Sequence, residues 1–281
     1  MKYGLNSFLF ESPFTNKSFH LIKKVKDWGF DTIEIAIEDP SHVDAALLKR
    51  ALGDNDLACG SVCAAVGPGR DFRGSKQEQQ TSMDYMKGLL DMMPVFGSKM
   101  LVGPLYSSVG RAEPKTDDEF KQQWDAVVEN LRELSAYAGE RNLKLAIEPL
   151  NRYETDFINT CTQVIKLIDD IGHDAAGILL DSYHMNIEEK NSAAAIRAAG
   201  SRLYHFHACG CDRGTPGNDH IDWKSIVAAL KEINYDGIAV IESFTTDVKV
   251  IAKAASIWRK FEPSQDDIAV KGLDFLKKAF S

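Results

Sequence analysis

Leu145-Ala146-Ile147-Glu148, Ile178-Leu179-Leu180-Asp181, Leu203-Tyr204-His205-Phe206-His207 and Ile238-Ala239-Val240-Ile241-Glu242 are four short apolar runs. Each ends on a residue able to bind a metal ion. The steps between the four termini, from 148 to 181, 207 and 242, are 33, 26 and 35 residues. Such an interval holds one strand, one helix and two loops. If the strands are parallel neighbours, their polar ends converge on one spot. Three carboxylates and one imidazole gathered there suit a hard or borderline divalent cation.

The same grammar extends outward along the chain. Stretches near Gly4–Phe10, Thr32–Ile37, Ala58–Val66, Met100–Pro104, Lys144–Pro149, Gly177–Asp181, Leu203–Ala208 and Ile238–Phe244 are short, apolar and bounded by Gly, Pro or Asp, which predicts strands. Helical periodicity fills the intervals. Trp124, Val127, Val128, Leu131 and Leu134 fall on one face after an acidic first turn at Asp117 and Asp118. Val164, Leu167, Ile168 and Ile171 repeat the pattern behind the capping candidates Thr160 and Thr162, and Ile226, Val227, Leu230 and Ile233 do so behind Asp222. Gln265–Phe280 reads as a closing helix outside the sheet. Eight strands alternating with helices imply a parallel α/β sheet. A doubly wound sheet is the alternative, but eight such units in 281 residues favour a single-domain (β/α)8 barrel over residues 1–281. The longest irregular segment, Ala208 to Trp223, follows a strand and should lie on the catalytic face.

Bulk properties exclude several function classes. The chain is 44% apolar and 26% charged, as expected of an ordinary soluble protein. Its net charge of −8 argues against nonspecific binding to nucleic acid or anionic lipid. The N-terminus lacks the features of a signal peptide, and no apolar run approaches the roughly 18 residues of a membrane span. Five cysteines, an odd number, suggest reduced thiols in a cytoplasm. Gly67-Pro68-Gly69 is a turn, and no phosphate-binding glycine motif opens any helix. Cys209 and Cys211 follow His207 closely, but their one-residue spacing suits a zinc chelate poorly.

Each candidate also has a bland reading. Asp181 serves equally as a helix cap, and a lone strand-end Glu forms ion pairs. Four such residues on four consecutive strands favour a shared metal. Nearby, Glu154 is either a site residue or the partner of Arg152. His184 is either a site residue or a histidine at a helix start. Glu188 and Glu189 read as solvated helix charges, and His205 is expected to point away from His207 into packing. Arg213 lies six residues beyond His207.

Three stretches carry a resemblance: Glu148-Pro149-Leu150-Asn151-Arg152-Tyr153-Glu154, Asp181-Ser182-Tyr183-His184-Met185-Asn186-Ile187-Glu188-Glu189, and His205-Phe206-His207 with Arg213 and Pro216-Gly217 beyond it. Together with Ile257-Trp258-Arg259 they resemble the D-tagatose 3-epimerase/D-allulose (psicose) 3-epimerase family of xylose-isomerase-like TIM barrels. The resemblance implies that Glu148, Asp181, His207 and Glu242 bind Mn²⁺, with Co²⁺ or Mg²⁺ as alternatives. It implies that Glu148 and Glu242 act as the acid/base pair, and that Glu154, His184 and Arg213 hold the C1–C2 end of a ketose. It also implies a homodimer or homotetramer acting on a small sugar. Two departures stand out. Ala208-Cys209 replaces the usual Gly-Glu pair after the ligand histidine, and Pro149 replaces the more common Val. The Asp212-Arg213-Gly214-Thr215-Pro216-Gly217 version of the loop and the Glu148-Pro149-Leu150-Asn151-Arg152-Tyr153 string look like relatives acting on 3-keto-glycosides, as epimerases or C-glycoside-cleaving lyases with the same metal and base.

The implied chemistry explains these residue types. A hydrogen beside a ketone is a weak acid, and a divalent cation stabilises the enediolate formed on its removal. Inverting the carbon requires two carboxylates on opposite sides of the substrate, one ionised and one protonated. An endonuclease-IV-like phosphodiesterase would need more His and Asp ligands and a basic face for nucleic acid. A non-catalytic sugar-binding barrel would bind metal and ketose without exchanging a proton.

Overall fold

The computed structural model describes residues 1–281. Eight parallel strands close into a barrel in sequential order. They are β1 (Lys2–Asn6), β2 (Thr32–Ile37), β3 (Ala58–Ala64), β4 (Met100–Gly103), β5 (Lys144–Ile147), β6 (Ala176–Asp181), β7 (Leu203–Ala208) and β8 (Ile238–Ile241). Pairing of β1 with β8, with Leu5 opposite Ile241, completes the ring. The helices are α1 (His20–Asp27), α2 (Ala45–Asp54), α3 (Lys76–Phe96), α4 (Asp117–Glu140) and α5 (Cys161–Ile171). They continue with α6 (Ser182–Glu188), α7 (Ser192–Ala199), α8 (Trp223–Glu232), α9 (Lys249–Ala254) and α10 (Gln265–Phe280). None is long and apolar enough to cross a membrane.

Local chemistry explains these elements. β2 and β6 are buried at every residue, which is why they read as apolar runs rather than as alternating strands. Thr116 and Glu119 form a reciprocal capping box at the start of α4, and Thr160 and Gln163 do the same for α5. Asp222 caps α8 by accepting from the Ser225 amide at 3.1 Å. Val127, Leu131 and Leu134 of α4 are fully or almost fully excluded from solvent against the barrel. Trp124 reaches across to Phe157, with ring centroids 5.6 Å apart.

Several strand boundaries differ from expectation, mostly at the C-terminal end of the barrel. β1 begins at Lys2 and ends at Asn6 rather than Phe10, because the Asn6 side chain accepts from the Phe8 amide and turns the chain into a 3₁₀ segment over Ser7–Leu9. β4 and β5 stop before Pro104 and Pro149, which have no N–H to donate to a neighbouring strand. β3 stops at Ala64, two residues short of Val66, β8 stops at Ile241, just before Glu242, and β6 starts one residue early, at Ala176.

The register places the chemistry. Asp181 and His207 are paired partners on β6 and β7, and Glu148 and Glu242 lie one residue beyond β5 and β8. All four therefore stand at the C-terminal mouth of the barrel, where (β/α)8 enzymes build their sites.

The seating of α4 is open to test. Leu131→Ala should cost about 2–5 kcal/mol, read as a lower urea midpoint, because the side chain has no exposed surface to lose. A midpoint shift equivalent to under about 0.5 kcal/mol, the range of ordinary surface substitutions, would show that α4 is not packed as described.

Candidate metal centre and active site

One donor atom from each of Glu148, Asp181, His207 and Glu242 lies within 4.8 Å of the other three, and all four residues are buried. His207 Nδ1 stands 3.3 Å from Glu242 Oε2 and 3.9 Å from Glu148 Oε1. Asp181 divides its two carboxylate oxygens between the next helix and this centre. Its Oδ1 accepts from the Tyr183 amide at 2.7 Å to cap α6, while Oδ2 faces the centre.

Arg213 enters from the loop after β7. Its backbone is left-handed, with φ of 68°. Such a conformation is costly for a non-glycine residue and persists where the surroundings impose it, often at functional sites. The guanidinium is sandwiched between the rings of Tyr183 and Phe244, at 4.1 and 4.8 Å. Nη1 donates to Asp181 Oδ2 at 2.9 Å and lies 3.4 Å from Glu242 Oε2. Nη2 lies 3.0 Å from His184 Nε2 and 3.6 Å from Glu154 Oε1.

The electrostatics are those of crowded like charges. Burial, and then the neighbouring Glu242, push the Glu148 carboxyl well above its usual range. Burial raises Asp181 to about 6 despite the opposing pull of Arg213. Burial acts on Glu242 in the same direction, but His207 and Arg213 outweigh it and hold that carboxyl low. Burial, assisted by Arg213 and His207, keeps His184 neutral. Two like charges 4 Å apart repel by about 4 kcal/mol at an effective dielectric of about 20. Burial also acts against charge on His207, but Glu34 and Glu242 outweigh it and push that imidazole well above its usual range, so the crowded carboxylates are met by protons on Glu148 and His207 as well as by the guanidinium.

The donor set fits a divalent cation. Glu148 Oε1 and His207 Nδ1 are buried without a hydrogen-bond partner and face the shared centre. Three carboxylates with one imidazole suit Mn²⁺, Mg²⁺ or Co²⁺ better than a thiolate-preferring ion. Neither Cys209 nor Cys211 belongs to this group. Cys209 is buried with its Sγ 3.8 Å from Ser243 Oγ.

The structure decides between the two readings of Glu154 and His184 and corrects those of Glu188, Glu189 and His205. Glu154 does not pair with Arg152. It accepts from Asn151 Nδ2 at 2.8 Å and faces Arg213. Arg152 forms a two-pronged contact with Glu188, at 3.0 Å for each prong. Glu188 is thus a largely buried ion-pair partner rather than a solvated charge. Glu189 accepts from the Cys161 amide at the start of α5. His184 is more than a helix-start residue, since its Nδ1 accepts from the Asn151 amide at 2.9 Å and its Nε2 is turned to the centre. His205 does not point away from His207. Residues two apart on a strand share a face, and both imidazoles enter the barrel interior.

Sequence reasoning missed Glu34, in the middle of β2. This fully buried carboxylate lies 2.8 Å from His205 Nε2 and 3.0 Å from His207 Nε2. Asn6 donates to it at 2.7 Å and Ser61 at 2.5 Å. The available signal was a charge inside the apolar run Thr32-Ile33-Glu34-Ile35-Ala36-Ile37.

The family described as xylose isomerase-like TIM barrel matches residues 22–279. The chain belongs to this family. Within it, a probable ketose 3-epimerase of Synechocystis sp. is 32% identical, covering 100% of this chain and 97% of its own. A D-psicose 3-epimerase of Enterocloster bolteae is 34% identical over 98% and 91%. A D-allulose 3-epimerase of Methylomonas sp., solved with D-allulose, superposes with a TM-score of 0.93 at 28% identity, covering 99% of this chain and 97% of that one. Kinship of this extent within the family makes the chain an epimerase, of the isomerase class.

Adding Mn²⁺ should raise the melting temperature of the chelator-treated protein. Binding at one hundred times Kd contributes about 2.7 kcal/mol, which corresponds to several degrees. His207→Ala should lose most of this shift. An equal shift in that variant would remove His207 from the ligand set.

Proposed function

We propose that this protein is a divalent-metal-dependent ketose 3-epimerase, inverting C3 of a free ketose of the tagatose, allulose or ribulose type. The observation that carries this reading is the convergence of Glu148 and Glu242, from different strands, on the point where Asp181 and His207 complete a donor set. Mn²⁺ is the preferred ion, with Co²⁺ and Mg²⁺ as alternatives. A cation held by these four residues would supply Lewis-acid stabilisation of the negative charge that develops on the substrate oxygens.

The chain's own residues do the rest. One of Glu148 and Glu242 removes the C3 proton and the other delivers a proton to the opposite face. Their unequal environments, one carboxyl held high and the other low, favour one protonated and one ionised partner. Arg213, Glu154 and His184 form a connected polar edge that can hold the C1–C2 oxygens. The two aromatic rings fix the Arg213 fork in place. Five unpaired cysteines accord with a reducing cytoplasm. Assembly as a homodimer or homotetramer belongs to the same proposal, and the exposed Tyr153, Val250 and Trp258 offer apolar surface for it.

Ala208-Cys209 in place of Gly-Glu favours the second reading, an enzyme acting on 3-keto-glycosides. Incubating the Mn²⁺-loaded protein in D₂O with a panel of ketoses and 3-keto-glycosides separates the two. Deuterium should appear at C3 of a free ketose. Deuterium gained only by a keto-glycoside would establish the second reading, and exchange in neither would make the protein a binding barrel.

Glu148→Gln and Glu242→Gln should each abolish exchange. The losses should exceed the roughly 10²–10⁴-fold of general acid–base catalysis, because each change also weakens the metal site. Near-normal exchange by either variant with bound metal would rule out the two-carboxylate mechanism. Arg213→Ala should lower kcat/KM for every accepted substrate. An unchanged value would show that the guanidinium does not touch the sugar.

A further inference from the structure

Beneath the metal-binding face, β1, β2 and β3 contribute a layer of polar side chains to the barrel interior. Asn6 and Glu34 are register partners on β1 and β2, and Glu34 and Ser61 are partners on β2 and β3. All three are fully buried, as are His205 and His207, which reach the layer from β7. Such polarity inside a barrel otherwise filled by branched apolar residues needs a reason.

Glu34 is the hub. Its Oε1 faces Asn6 Nδ2 and His207 Nε2, and its Oε2 faces Ser61 Oγ and His205 Nε2. An ionised carboxylate only accepts, and it has about four lone-pair sites. Every one of its neighbours is able to donate. The Asn6 amide cannot rotate, because its Oδ1 accepts from the Phe8 amide at 2.8 Å. Asn6 Nδ2 also donates to Glu242 Oε1 at 3.2 Å, which ties the hub to the metal-binding layer.

The consequence falls on His207. With Nε2 3.0 Å from a carboxylate that can only accept, a ring that gives up one proton to a cation would keep the other on Nε2 and offer Nδ1 on the side of Glu148 and Glu242. A carboxylate behind a ligand histidine orients the ring and raises its basicity. We propose that Glu34 is the positioning residue that selects Nδ1 of His207 as the metal-binding atom and holds the ring at the centre. This rests on the metal site proposed above.

The test is Mn²⁺ titration calorimetry on wild type, Glu34→Gln, Ser61→Ala and His207→Ala. Glu34→Gln should bind about 10–100-fold more weakly, the usual effect of losing an outer partner of a ligand histidine. Ser61→Ala, which alters the same buried layer without touching His207, should bind like wild type. In the epimerase assay, saturating Mn²⁺ should restore most of the kcat of Glu34→Gln while the apparent metal constant stays raised. If Glu34→Gln fails to fold, Glu34→Asp replaces it, because the shorter carboxylate withdraws from Nε2 and should weaken binding in the same way. Wild-type affinity in a folded Glu34 variant, with affinity lost in His207→Ala, would overturn the positioning role and leave the metal site standing. Wild-type affinity in His207→Ala as well would overturn the metal site itself. Equal weakening by Ser61→Ala would reduce Glu34 to a packing role.

Discussion

Three buried carboxylates share one small volume at the mouth of this barrel with a single permanent cation, Arg213. That arrangement is unfavourable in isolation. Burial penalises each charge, and their mutual repulsion adds to the penalty. A fold retains it only where something compensates, and here the compensation comes from several directions. The guanidinium bridges Asp181 and Glu242, His207 stands between Glu242 and Glu148, and the donor geometry accepts a dication. Burial and the neighbouring Glu242 push the Glu148 carboxyl up, while His207 and Arg213 hold that of Glu242 low.

The rest of the barrel serves this point. Parallel strands in sequential order turn separation along the chain into proximity at one end of the sheet. Pairing of Asp181 with His207 sets the height of two donors, and the early ends of β5 and β8 let Glu148 and Glu242 lean inward from the first loop residue. The loop from β5 to α5 is itself anchored. Arg73 is buried over the Phe157 ring at 4.8 Å and pairs with Asp156 at 2.7 Å. Asn151 joins that loop to His184 on α6. The polar edge of the site is therefore built on supported backbone.

The loop after β7 shows how local strain is tolerated. A Cβ on Gly210 would stand 2.9 Å from the Thr215 carbonyl oxygen, so the chain doubles back where only glycine fits. Gly210 donates to the Gly214 carbonyl at 3.1 Å, and the Phe244 amide donates to the Arg213 carbonyl at 3.0 Å. These bonds hold Arg213 in its left-handed conformation and aim the guanidinium into the mouth. Cys209, notable in the sequence for what it replaces, is buried under this loop.

Periodicity and spacing were enough to determine the barrel, the four convergent residues and the capping of α5 and α8. These follow from short-range rules, strand against helix period and cap chemistry, repeated eight times in one order. Partner choice was beyond those rules. Glu154 turned to Arg213 rather than Arg152, and Glu188 took Arg152 instead, because loops bring residues together by closure rather than by period. His205 shares its face with His207 by strand geometry, but its partner Glu34 comes from a strand 171 residues away in sequence. A charge inside an apolar strand marks a residue that must be satisfied. Only closure of β1, β2, β3 and β7 around one interior decides what satisfies it, since burial and hydrogen bonding across a barrel are properties of the assembled ring.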